Sequence, residues 1–230
     1  MNSIPLSVGK MAVTITRLSS QSWFRISADS MIIDIDPAYY GTEKRGPDAY
    51  QKSSLVLITH GHRDHCDKNA IADICVPETV VAGPEGCLKG LPGKTRPIKA
   101  GEELVVGSVK VKAVDAYNKG LRGKLLHKKG VCNGYLVSVG GITVYHAGDS
   151  DLIPEMGNLG QVDVALLPIA GMVTMNASEA GEAAMLIKPR IVIPMHQLRA
   201  SPEEFRKNLG QKAPGIKVVL LGVGQSFEAK

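Results

Sequence analysis

The segment "LITHGHRDHCD", residues 57–67, places His60, His62, Asp64 and His65 within six positions, directly after an apolar run. With six histidines in 230 residues, composition alone would yield a His-x-His-x-Asp-His pattern in roughly one such chain in five thousand. A chance cluster of surface histidines is therefore a poor explanation. Imidazoles and carboxylates with no cysteine in the set suit zinc, manganese or iron rather than a soft-metal site. In an extended loop His60 and His62 can point the same way while Asp64 and His65 face a second position. One motif can thus serve two cations. Two cations a few ångströms apart lower the pKa of a shared water to near neutrality, and they stabilise the negative oxygen that develops on a carbonyl or phosphoryl centre. Such chemistry needs no serine or cysteine nucleophile. Further ligands must come from elsewhere, and the remaining histidines are His127, His146 and His196.

The elements that must carry these residues begin as short strands. "VTITRL" (13–18) and "SWFRIS" (22–27) alternate roughly with period two, and "MIIDID" (31–36) is almost continuously apolar until Pro37. "SLVLI" (54–58) reads as a buried strand with the histidine motif at its C-terminal end. "KNAIADI" (68–74) has helical spacing, with Asp67 placed to cap it. Next come the strand "TVVAG", a Gly/Pro-rich connection over about 83–101, and a hairpin of "ELVVG" with "VKVKAV" (103–114). "GYLVSVGGITVYHAGD" reads as a second hairpin, turned by Gly140-Gly141 and ending at Asp149. The C-terminal third alternates strand and helix: "DVALLPI", a helix over 178–187 with Ser178 as cap and Glu182 in its first turn, "RIVIPM", a helix over 202–209, and "IKVVLL". Each strand of interest ends at a ligand-type residue: His60, His146 with Asp149, and His196.

Composition narrows the class. Hydrophobic content of 44% with 4% aromatics predicts an aliphatic core, and no linker-like stretch divides the chain, so residues 1–230 read as a single domain. The N-terminus lacks the pattern of a signal peptide. The longest apolar run, "VALLPIAGMV", is too short for a membrane span and contains Pro168. Cys66, Cys75, Cys87 and Cys132 show no Cys-x-x-Cys pairing. A reduced, cytoplasmic protein that does not engage membranes is expected. Lys119, Arg122, Lys124, Lys128 and Lys129 crowd residues 119–129, dense enough to attract an anion and equally the look of a solvated loop.

The order His60-x-His62-x-Asp64-His65, then a "GD" aspartate at Asp149 and a late strand-end His196, resembles the metallo-β-lactamase-fold hydrolases. "GGITVYHAGDSDLIPEM", "DVALLPIAG" and "IPMH" look especially like the small single-domain metal-dependent hydrolases that include relatives of L-ascorbate-6-phosphate lactonase. The resemblance spans about residues 12–222. It implies an α/β fold of the four-layer αββα type, two mixed β-sheets flanked by helices. It also implies two divalent metal ions, Zn2+ first and Mn2+ or Fe2+ as alternatives. On this pattern His60 and His62 bind one metal, Asp64, His65 and His196 bind the other, and Asp149 bridges the two. Asp36, in "IDIDP", matches an aspartate that buttresses the site; a simple turn with Pro37 is the alternative. The sequence departs from the family in the middle histidine. Many members place it just after the strand ending near Val114, where this chain has Tyr117 and Asn118. His127 is the nearest substitute as a first-metal ligand, with a surface or substrate-facing histidine as alternatives. Asp64 and Asp149 would aim the nucleophilic hydroxide. His146 is read as a catalytic residue, supporting the site or donating the leaving-group proton, with an ordinary strand-end histidine as alternative. Cys66 reads as a buried structural cysteine rather than a thiolate ligand.

A dinuclear hydrolase of a small, anionic ester or lactone is the leading expectation, with a small-molecule substrate as its partner and homo-oligomerisation compatible with the sequence. A phosphodiesterase or nuclease is the second reading. It fares worse because the basic loop contains none of the aromatic residues that stack on bases. A non-catalytic metal-binding protein is the third, and a His/Asp surplus is unlike a closed structural site.

Overall fold

A computed structural model describes residues 12–41, 50–120 and 126–230. Arg122 and Lys124 of the basic stretch lie outside the described residues, as do residues 1–11. The first sheet contains β1 (Val13–Arg17), β2 (Phe24–Ala28), β3 (Met31–Ile35), β4 (Leu55–Leu57), β5 (Val80–Gly83) and β6 (Lys94–Pro97). The second contains β7 (Glu103–Val106), β8 (Val109–Ala116), β9 (Cys132–Val139), β10 (Ile142–His146), β11 (Val164–Pro168), β12 (Ile191–Met195) and β13 (Lys217–Val218). A last strand, β14 (Ser226–Ala229), returns to the first sheet, giving the orders β14-β1-β2-β3-β4-β5-β6 and β13-β12-β11-β10-β9-β8-β7. In each sheet antiparallel neighbours give way to parallel ones, at β3 in the first and at β10 in the second.

The period of two explains how the layers stack. Ile15, Phe24, Ile26, Ile33, Ile35, Leu55 and Leu57 of the first sheet meet Val111, Ala113, Tyr135, Val137, Val144, Leu166 and Ile193 of the second in one buried core. The intervening residues face outward onto helices. Val56, Ile58 and Val81 pack on Ala70, Ile71 and Ile74 of α1 (Lys68–Ile74). Tyr145, Ala165, Leu167 and Val192 pack on α2 (Ala177–Ile187) and α3 (Pro202–Lys212) through Ala180, Ala183, Ala184, Phe205 and Leu209. Parallel strands covered on both faces must be apolar throughout, as "VALLP" and "IVIPM" are. The result is the expected four-layer αββα sandwich of two mixed sheets. Among the described residues, no helix is long and apolar enough to cross a membrane.

Four local expectations need correction. β6 lies within the stretch read as a connection; all four of its residues are exposed at the sheet edge, so no apolar alternation marks it. β14 is polar at alternate positions and went unread. The strand expected from "IKVVLL" shrinks to Lys217–Val218. α2 starts one residue earlier than expected, because Asn176 and not Ser178 caps it: Asn176 Oδ1 accepts the Glu179 N–H (2.9 Å) while Glu179 Oε2 accepts the Asn176 N–H (2.8 Å). The hairpin at Gly140-Gly141 forms as expected, with both glycines at positive φ (59° and 77°), the conformation that a tight right-twisted turn requires.

Candidate metal centre

The ends of β3, β4, β8, β10 and β12 converge at one edge of the sandwich, where Asp36, His60, His65, His127, Asp149 and His196 are buried. After β4 the chain turns sharply: His62 O accepts the backbone N–H groups of His65 (3.0 Å) and Cys66 (2.8 Å). This turn separates His60 and His62 from Asp64 and His65. Asp67 then caps α1, its carboxylate accepting the Asn69 N–H at 2.8 Å, as the sequence predicts. Asp149 follows Gly148, which adopts φ +59°. A Cβ at Gly148 would lie 2.9 Å from Asn133 O and 3.2 Å from Thr59 Cβ, so the close approach that brings Asp149 inward needs glycine.

Ligand-type atoms gather in two triads, joined by a third group of His60, His65 and Asp149 that takes one histidine from each. His60, His62 and His127 form one, and Asp64, His65 and His196 form the other. His62 Nδ1 lies 2.9 Å from His60 Nε2 and 3.2 Å from His127 Nε2. In the second triad His196 Nε2 is 3.4 Å and His65 Nε2 is 3.7 Å from Asp64 Oδ2. Asp149 stands between them: Oδ1 is 3.4 Å from His65 Nε2, and Oδ2 is 3.5 Å from His196 Nε2 and 3.7 Å from His127 Nε2.

The ring nitrogens of His60, His65 and His127 that point away from this space are held by neighbours. Asp36 Oδ2 accepts the Nδ1–H of His65 at 2.7 Å, and Asp36 in turn accepts the Thr59 backbone N–H and hydroxyl, each at 2.7 Å. Because the Thr59 hydroxyl donates to Asp36, its oxygen accepts the His60 Nδ1–H, 2.9 Å away. Asn118 Oδ1 accepts both the ring Nδ1–H (2.8 Å) and the backbone N–H (3.1 Å) of His127. Those bonds aim the Nε2 atoms of His60, His65 and His127 inward and fix the tautomers that leave the Nε2 lone pairs of His60 and His127 free. Asn118 occupies the strand-end position where the resembled family places a histidine. Here it holds His127 instead.

The electrostatics follow from burial and crowding. Burial pushes the His60 imidazole well below its ordinary value, reinforced by the charge on His65, and burial likewise lowers His127. Burial would also lower His65, but the carboxylates of Asp149 and Asp36 outweigh it and hold the ring well above its usual range. Burial alone would raise Asp149, yet the charges of His65 and His196 keep it well below the carboxylate range. Asp64 is held below its usual value by His196 and His65 against the same burial effect. Several of these atoms lack any hydrogen-bond partner although buried: His65 Nε2, Asp149 Oδ1 and both ring nitrogens of His196. Buried polar atoms are normally satisfied. Inward lone pairs, a depressed carboxylate and orphaned nitrogens make up a donor set that fits divalent cations with nitrogen and oxygen preference.

The structure thus brings His60, His62, Asp64, His65, His127, Asp149 and His196 together, and it excludes His146 from their company. His146 is fully buried, its Nε2–H donates to Ser22 O (3.0 Å), and its Nδ1 accepts the Gly148 N–H (3.2 Å). Burial lowers its pKa. With both nitrogens engaged by backbone and Phe24 against the ring, it has no proton to offer a substrate. The proton-donor expectation is therefore withdrawn; His146 instead braces the Gly148 turn. Cys66 belongs to none of the ligand groups, and burial raises its thiol to about 12. Thr59 and the holding role of Asn118 were missed in the sequence. Their only signal is position, Thr59 beside His60 and Asn118 just past the end of β8.

Residues 14–196 match the family described as Beta-lactamase superfamily domain. A UPF0173 metal-dependent hydrolase of Pyrococcus furiosus is 36% identical over 225 residues, covering 89% of this chain and 95% of the relative. The solved structure of Igni18, a metallo hydrolase from Ignicoccus hospitalis, shares 27% identity and superposes with a TM-score of 0.79 over 95% of this chain and 99% of that one. A UPF0173 metal-dependent hydrolase of Archaeoglobus fulgidus is 32% identical, covering 86% of this chain and 92% of the relative. The match over most of its length, the sandwich fold and the histidine-rich edge lead to one conclusion: the chain belongs to the UPF0173 metal-dependent hydrolase family, and is an enzyme of the metallo-β-lactamase superfamily.

Proposed function

We propose that the whole chain is one catalytic domain that holds two Zn2+ ions and hydrolyses a small, anionic ester or lactone. The observation that carries this reading is the position of Asp149 between the triads: its Oδ1 lies 3.4 Å from His65, and its Oδ2 lies 3.5 Å from His196 and 3.7 Å from His127. His60, His62 and His127 would hold one ion, and Asp64, His65 and His196 the other, with Asp149 shared. When bound, two such ions supply an acidified water as nucleophile and stabilise the developing oxyanion. The chain's part is to present the ligands in the right protonation state. Asp36, Thr59 and Asn118 orient three imidazoles, and the low pKa values of His60 and His127 keep those rings unprotonated at neutral pH. His65, held as a cation by Asp149 and Asp36, would give up its Nε2 proton on metal uptake.

Solvent reaches the centre at His62, which is exposed, and at Asp64, whose side chain is 31% exposed, so substrate approaches from that side. Support for an anionic substrate comes from Lys119 and Lys128, exposed neighbours of Asn118 and His127. Lys129 contributes less, because it pairs with Glu155 and lies 3.8 Å from Asp115. Four free cysteines support a reducing, cytoplasmic setting. The experiment is a pair of lactones of equal size, one carrying a phosphate or carboxylate and one neutral, assayed with the zinc-loaded protein and with Lys119→Glu/Lys128→Glu. The reading expects preference for the anion that falls with salt and in the double variant. Equal turnover of both lactones, insensitive to salt, would remove the anionic part; turnover of neither would remove the lactone.

A further inference from the structure

Three of the imidazoles in the centre are secured through the nitrogen that points away, by Asp36, Thr59 and Asn118. Among the four buried histidines of the centre, His196 is the exception. Its Nε2 faces Asp64 and Asp149, its ring is buried, and its Nδ1 has no hydrogen-bond partner. Its backbone is also held in the left-handed region at φ +44°, a conformation that side chains other than glycine adopt at a cost and that surrounding contacts must enforce.

The segment between β1 and β2 supplies those contacts. Gln21 O accepts the His196 backbone N–H at 3.1 Å. The buried Arg17 fastens this segment to the residue after His196: its Nε donates to Ser19 O (2.9 Å), Nη2 to Ser20 O, and Nη1 to Gln197 Oε1 (3.1 Å). Within the same segment two further buried polar atoms lack partners, Gln21 Oε1 and Ser22 Oγ. A donor without an acceptor and an acceptor without a donor thus sit in two segments already joined by a backbone hydrogen bond. An amide oxygen can only accept, whereas the Ser22 hydroxyl can also donate and is the less specific match.

We propose that Gln21 is the positioning residue of His196: its side-chain oxygen accepts the Nδ1–H and directs the Nε2 lone pair between Asp64 and Asp149. The terminal torsion of a glutamine side chain is broad, which lets the amide oxygen turn without changing the rest of the side chain. The proposal rests on the reading of His196 as a metal ligand. It gives this histidine the same kind of support that His60, His65 and His127 possess, and it assigns a task to a segment of the chain that contains no ligand.

The test is zinc titration of the metal-free protein against a competing chromogenic chelator, with thermal unfolding of each metal-free variant beside it. Gln21→Met keeps the side-chain volume and loses the oxygen; Gln21→Glu keeps an acceptor; Ser22→Ala and His196→Ala are references. The expected result is that Gln21→Met weakens 10- to 100-fold the ion that His196→Ala also weakens. The other ion should bind unchanged, Gln21→Glu should restore most of the loss, and metal-free melting temperatures should stay alike. Wild-type affinity for both ions in Gln21→Met overturns the proposal, as does the same loss appearing in Ser22→Ala instead. A wild-type chain that binds a single ion contradicts the two-ion reading separately, and Gln21 is then judged on that ion alone: the proposal fails if His196→Ala or Gln21→Met leaves its affinity intact.

Discussion

Asp36 Oδ2 lies 2.7 Å from His65 Nδ1, and both side chains are completely buried. Asp36 reaches that position with φ +54° and also accepts two bonds from Thr59, so one carboxylate secures His65 directly and His60 through the Thr59 hydroxyl. Asp36→Ala should therefore loosen both triads at once. Metal affinity should fall by about 10- to 100-fold, and removing one partner of a buried ion pair should cost about 3–5 kcal/mol of stability. Chelator competition and denaturant unfolding measure the two effects independently.

His146 makes the opposite prediction to the one its place in the sequence suggests. As both nitrogens are bound to backbone groups, His146→Asn should leave the pH profile of kcat unchanged while lowering the melting temperature. A kcat profile that loses its acidic limb in this variant would restore the proton-donor role.

Gly148→Ala puts a methyl group 2.9 Å from Asn133 O on a backbone at φ +59°. We expect a loss of about 1–3 kcal/mol in folding stability. Because the turn carries Asp149, kcat/KM should fall further than stability alone explains. Circular dichroism melts and steady-state kinetics on the same preparation separate the two.

The metal-free protein should lose stability as pH falls from 7.5 to 5.5. His60, His127 and His146 all have pKa values lowered by burial, so in this window the unfolded chain binds protons that the folded chain refuses. Each such group contributes a slope of up to about 1.4 kcal/mol per pH unit below the unfolded value near 6.5. His65 has the reverse sign: its raised pKa stabilises the fold at low pH, and that contribution is lost as pH rises through the folded value. Three groups oppose one, so the net slope is toward acid lability. His146→Asn should flatten it, which a melting series across this range would reveal.

Much of the centre could be read before the structure because His60, His62, Asp64 and His65 are neighbours along the chain. Strand ends are recognisable from the apolar runs that precede them. For His146 the sequence already favoured a supporting role over proton donation: it shares the parity of Ile142 and Val144, which face the core between the sheets. Asn118 and Thr59 were harder, since a hydrogen bond across nine residues or through a shared carboxylate leaves no local pattern. β6 escaped because an edge strand with every residue exposed shows no hydrophobic period.

The two-ion centre requires that two cations flank Asp149. Anomalous diffraction at the zinc edge from crystals of the zinc-loaded protein would test this. Two peaks are expected, one among His60, His62 and His127 and one among Asp64, His65 and His196, with an oxygen of Asp149 directed at each. A single peak, or two that leave Asp149 outside the coordination of either, would contradict the two-ion centre.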